Sequence, residues 1–167
     1  MVLTGIIFLL FIIAFVFAKI ADKNRDKFQF DMLPNEKILQ VENDVTFFGI
    51  NRRLGKTGIL YLTSKRLVFF RYQFGFLQFI PLIGSTLVAV FLDKQICWEL
   101  PVNQIITYHF KPTVIKTNNG TRVGSFGETK FFTLDKENIE FDIPLKFTDY
   151  TKSDLLVALD TLLSQKA

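Results

Sequence analysis

A chain of 167 residues, 49% of them hydrophobic and 20 of them phenylalanine, has room for one compact domain plus a short appendage, and its apolar content excludes a disordered chain. The formal net charge of +4 is too small and too dispersed for a phosphate-reading surface, so nucleic acid is not an expected partner. The single cysteine, Cys97, excludes an intramolecular disulfide and a Cys-based zinc cluster, the single histidine, His109, excludes a His pair on a metal, and no cofactor is expected.

Residues 2–18 (VLTGIIFLLFIIAFVFA) carry no charge, and only Thr4 and Gly5 interrupt the apolar run. As a helix the run spans roughly 25 Å, slightly short of a bilayer core of about 30 Å, a gap that snorkelling by Lys19 or local thinning closes. A buried core helix would need a polar stripe, so a transmembrane anchor over residues 1–20 is expected. No lysine or arginine precedes the run, whereas Lys19, Lys23, Arg25 and Lys27 follow it against Asp22 and Asp26, an excess of two positive charges. By the positive-inside rule this predicts a single-pass protein, N-terminus out and C-terminal domain cytoplasmic. The four cations are primarily topology determinants and secondarily membrane contacts. The alternative is a cleaved signal peptide, with Val16-Phe17-Ala18 as the processing signal and a secreted or lumenal domain. In that case alone the Asn119-Gly120-Thr121 sequon matters.

Residues 21–32 read as a polar tether, and Leu33-Pro34-Asn35-Glu36 opens a folded domain over 33–165. Residues 37–48 predict a first strand, 51–56 a loop, 58–63 a second strand, and 66–72 a third after a tight Thr63-Ser64-Lys65 turn. Residues 97–100 and 104–110 are extended around Pro101. Asn118-Asn119-Gly120 joins two extended pieces, 113–117 and 121–123, as a hairpin signal. A second hairpin joins 130–134 to 139–143, where Ile139, Phe141 and Ile143 alternate with Glu140 and Asp142. Leu155, Leu156, Leu159, Leu162 and Leu163 then mark one face of an amphipathic helix, with Thr151 or Ser153 as its cap and Asp154 in its first turn.

The run Gly58-Ile59-Leu60-Tyr61-Leu62-Thr63-Ser64-Lys65-Arg66-Leu67-Val68-Phe69-Phe70 resembles the core pattern of GRAM domains: a glycine, an apolar strand, Thr, a short turn, then Arg-Leu and another apolar strand. Trp98-Glu99-Leu100-Pro101 through Ile105 resembles the strand and turn that follow. The chain over 33–165 is thus similar to the GRAM/PH-like family, of the bacterial PH-like type. That resemblance implies a mainly β, α+β fold, an antiparallel PH-like sandwich or barrel capped by a C-terminal helix, here preceded by the transmembrane helix. Residues 74–92 (FGFLQFIPLIGSTLVAVFL) depart from the pattern, being uncharged and long for an interstrand loop. Hydropathy allows a second span there, but a span would part the third and fourth strands. An excursion that dips into the bilayer, or packs on the core, fits the fold better.

No catalytic motif stands out. Gly120, Gly124 and Gly127 resemble a phosphate loop only superficially, since neither a Lys-Ser/Thr ending nor a helix follows, and a flexible hairpin loop is expected. His109 has no acidic neighbour in sequence. Arg52, Arg53 and Lys56 cluster in the first interstrand loop, where PH domains that bind phosphoinositides hold the headgroup, although residues 58–63 lack the usual basic pair. The expected function is a membrane-anchored, non-catalytic binding or adaptor module contacting lipid headgroups, or a membrane-protein or peptide partner, at the cytoplasmic face. A hydrolase using His109 is the alternative from another class.

Overall fold

The computed structural model describes residues 12, 15, 16, 19, 30–49, 55–73, 93, 95–117, 120–135, 137–146 and 151–165, with the backbone alone at 115–117 and 120–122. The chain divides into two compact units, Met1–Asp31 with Tyr72–Gln95, and Met32–Arg71 with Ile96–Ala167.

In the first unit Ile12, Phe15, Val16 and Lys19 are helical. The rest of the expected anchor, together with Lys23, Arg25 and Lys27 and the apolar excursion 74–92, lies outside the described residues. Among the described residues no helix is long and apolar enough to cross a membrane.

Among the described residues the second unit contains seven strands: β1 (Ile38–Gly49), β2 (Lys56–Thr63), β3 (Arg66–Arg71), β4 (Trp98–Pro101), β5 (Ile105–Thr117), β6 (Gly120–Thr133) and β7 (Asn138–Pro144). A 3-10 turn, Val102–Gln104, links β4 to β5, and one α-helix, α1 (Asp154–Ser164), follows the strands. The strands form one antiparallel sheet in the order β4-β3-β2-β1-β7-β6-β5. Seven antiparallel strands followed by a terminal helix fit the expected PH-like sandwich.

β1 is the shared strand. It pairs with β2 from Ile38 to Phe47 and with β7 from Thr46 to Gly49, and its register slips between Glu42 and Val45. Asp44 sits in that slip at φ 58°, a left-handed conformation that Asp tolerates better than most residues. This bulge lets one strand serve both halves of the sheet. Leu60, Leu62, Leu67 and Phe69 from β2 and β3 therefore join Phe131, Ile139, Phe141 and Ile143 from β6 and β7 in one core.

The alternation expected in β7 is present: Ile139, Phe141 and Ile143 are buried and the residues between them half-buried. β2 and β3 do not alternate. Ile59, Tyr61, Val68 and Phe70, on the face away from that core, are as buried as their neighbours, which suits two nearly continuous apolar runs. Helix α1 closes the sandwich with Leu155, Leu156 and Leu159, all fully buried, while Leu162 and Leu163 are partly buried against the same core. Its cap is Ser153, which accepts from the Leu156 N–H at 3.5 Å.

Two expectations need correction. The extended pieces between residues 104 and 134 are not four short segments but two long strands, β5 and β6, paired from Ile105↔Thr133 to Thr117↔Gly120. The glycines read as a flexible hairpin loop lie within β6. At Gly127 a Cβ would stand 2.1 Å from the Phe110 ring across the ladder, which a side chain could enter only by displacing that ring, and at Gly124 a Cβ would meet Thr113 O at a tight 3.2 Å.

Candidate functional site

Three polar constellations stand out against the apolar sandwich, and the first lies at the β2–β3 turn. Chain entry forms a tight turn in which Glu36 N–H donates to Leu33 O at 2.9 Å, with Asn35 at φ 59°. That turn delivers the Glu36 carboxylate beneath the β2–β3 connection, where it accepts four hydrogen bonds. Arg66 donates through Nε (2.9 Å) and Nη2 (3.1 Å), Thr63 through its hydroxyl (2.6 Å), and Leu33 through its backbone N–H (2.6 Å). Arg66 also pairs with the half-exposed Glu99 of β4. Burial pushes the Glu36 carboxyl up, but the hydrogen bonds from Arg66, Thr63 and Leu33 outweigh it and hold the group below the usual carboxylate range. The same bond to Glu36 raises Arg66 against the effect of burial. Thr63 Oγ1 accepts from Lys65 N–H and Arg66 N–H, so the turn satisfies its own backbone donors.

Beside this network opens a cavity of about 460 Å³ whose walls include Leu33, Lys65, Pro101, Val102, Asn103 and Leu162. Its size is that of a small-ligand site, but Lys65, the only cation among its described lining residues, already donates to Pro34 O at 2.6 Å. The network is a structural brace with a shallow apolar groove at its edge.

The second constellation holds α1 on the sheet. Tyr108 of β5 donates its hydroxyl proton to Asp160 Oδ1 at 2.6 Å and accepts from Lys152 Nζ at 2.9 Å. Lys152 also reaches Asp160 Oδ2 at 2.9 Å. Burial, and then the bond to Asp160, push the phenol up to about 12. On β1, Glu42 accepts a hydrogen bond from the helix cap Ser153. Burial nevertheless pushes its carboxyl up to about 7, with the Asp154 and Asp44 carboxylates adding to the rise.

The third constellation surrounds the one described member of the predicted lipid site. Lys56 opens β2 opposite Phe47, is exposed, and brings Nζ to 3.9 Å from Cys97 Sγ. Behind it Phe47, Trp98, Phe69 and Phe141 pack as an aromatic cluster with centroid separations of 4.9 to 6.0 Å. Arg52 and Arg53 lie outside the described residues. Of the juxtamembrane cations only Lys19 is described, an exposed residue with Nζ 5.7 Å from the centre of the Phe15 ring.

His109 stands exposed on β5 opposite Lys130, which is itself paired with Glu140 at 2.6 Å. Among the described residues no group of three or more His, Cys, Asp or Glu side chains could hold a metal ion. The Glu36–Arg66 pair was not singled out from the sequence. Its signal was an arginine opening the apolar run Leu67 to Phe70, which demands a carboxylate partner the linear sequence does not name.

No family model matches the chain, so the finer GRAM assignment rests on the residue pattern alone. No curated protein matches it. Among solved structures the chain is similar to one described as the Vps36 N-terminal PH domain, at 12% identity and a TM-score of 0.45, covering 81% of this chain and 85% of that one.

Proposed function

We propose that this chain is a membrane-tethered, non-catalytic binding module whose PH-like sandwich works at the cytoplasmic face, meeting anionic headgroups through Arg52, Arg53 and Lys56. The observation that carries the reading is the face presented by the described part of the N-terminal segment. Ile12, Phe15 and Val16 are helical, fall at i, i+3 and i+4, and are 46%, 64% and 49% exposed. An apolar helix face open to this extent needs lipid or protein against it, and Lys19, one turn on, suits the headgroup level. The uncharged composition of residues 2–18 supports lipid. The sandwich fits a binding role because its polar clusters are structural braces and its one histidine faces outward on a strand.

The test has two arms. Alkaline carbonate washing leaves the chain in the membrane pellet if residues 2–18 anchor it, and releases it if they do not. A mature N-terminus at Lys19 would show cleavage instead. The full chain in neutral nanodiscs is then challenged with anionic vesicles. Replacing Arg52, Arg53 and Lys56 by alanine weakens that capture by up to ~100-fold at ~1 kcal/mol per cation, and less in high salt.

A further inference from the structure

We infer that the distal half of the β5–β6 hairpin is a second membrane-contact element, seated in the headgroup region of an anionic bilayer. The inference rests on the tethered reading above but on different residues.

The hairpin outruns its sheet. β5 has 13 residues and β6 has 14, yet β7 pairs with β6 only from Phe126 to Phe132. Among the described residues, the pairs from Val114↔Val123 to Thr117↔Gly120 therefore have no third strand on the β6 side, and β5 is the sheet edge on the other. A two-stranded ribbon gains little from burial in water and ordinarily exposes polar side chains. This one exposes a directly opposed apolar pair, Val114 at 52% and Val123 at 46%, with Phe126 at 39% near its base.

The ribbon's charge names the surface it suits. Residues 112–126 contain Lys116 and Arg122 and no carboxylate. These cations occupy successive register positions near the tip, Lys116 opposite Thr121 and Arg122 opposite Ile115, one on each face of the ribbon, so a tip seated among headgroups meets both. Apolar β-branched residues with a local basic excess in sequence match the boundary between acyl chains and anionic headgroups. A nucleic acid would call for stacking rings, and residues 112–125 have none. The ribbon's direction is fixed at its root. The register slips between Pro112 and Val114, and there the two strands approach so closely that a Cβ on Gly124 would lie 3.2 Å from Thr113 O. The arm is thus aimed by packed backbone.

The experiment uses the full chain reconstituted in phosphatidylserine vesicles with brominated acyl chains. Trp98, half-buried in the sandwich, gives the baseline quenching. V123W places a reporter on the ribbon, V114W repeats it on the other strand, and V157W on the exposed face of α1 is the control. Quenching of V123W and V114W well beyond V157W is expected. In pure phosphatidylcholine, or with K116A/R122A in the background, the ribbon population at the bilayer should fall about 30-fold, at roughly 1 kcal/mol per cation. Ribbon reporters quenched no more than V157W overturn the proposal. So does a blue shift that ignores lipid composition but grows with protein concentration, which would assign the ribbon to a second copy of the chain. If carbonate washing releases the chain, the tether reading fails on its own. The released chain added to the same vesicles then still decides the ribbon by the same quenching.

Discussion

Arg66 Nε lies 2.9 Å from Glu36 Oε1, across thirty residues of sequence, with the glutamate side chain fully buried and the arginine nearly so. This pair pins the start of the domain to the β2–β3 turn. Removing Arg66 leaves the Glu36 carboxylate buried without its ion partner, which costs about 3–5 kcal/mol, and removing Glu36 costs less because Arg66 keeps Glu99. Glu36→Ala and Arg66→Met should each lower the urea midpoint sharply. The double variant should cost less than the sum of the two, because neither charge is then stranded. Additive losses in the double-mutant cycle would show that the two side chains do not act as a pair.

The Glu42 carboxyl gives stability a pH dependence of defined sign. Its folded value, about 7, lies above the ordinary 4.5, so the fold binds this proton more tightly than the unfolded chain does. The contribution is complete below about pH 4.5 and is lost as pH rises through 7. At about 1.4 kcal/mol per unit, discounted for partial solvation, the loss is on the order of 2 kcal/mol. Denaturation at pH 5, 6, 7 and 8 should show this decline, and Glu42→Gln should flatten it. An equal slope in the variant would mean that another group titrates.

Gly58 occupies a place no larger residue fits. A Cβ there would stand 1.9 Å from Phe70 O and 2.8 Å from Arg71 Cα, both backbone atoms of the paired strand. Gly58→Ala must therefore push β2 and β3 apart, with a loss of about 1–3 kcal/mol or more. An alanine variant with an unchanged melting temperature would show that the strands separate freely here.

Leu159 seals the sandwich from α1 with no exposed surface. Leu159→Asp introduces an unpaired buried carboxylate at a cost of several kcal/mol, against a total of ~5–15 kcal/mol for a domain. Loss of the cooperative unfolding transition is expected. Leu159→Ala, at about 2–5 kcal/mol, should retain a weakened one. Two variants melting like the parent would place the helix off the core.

Local pattern by itself determined most of the elements. Periodicity fixed the helix face from Leu155 to Leu163, and alternation fixed β7, because each is set by residues adjacent in sequence. The Thr63-Ser64-Lys65-Arg66 turn was legible for the same reason: its hydrogen bonds close within three residues. The fusion of the pieces around Pro112 into one edge strand was not legible. Proline is tolerated on an edge, and strand position in a sheet is not written locally. The partner of Arg66, the pairing of Glu42 with Ser153, and the reason for glycine at positions 58 and 127 all depend on atoms 12 to 111 residues away in the chain. Only the tertiary structure decides such contacts, because desolvation and close backbone approach exist only once distant strands meet.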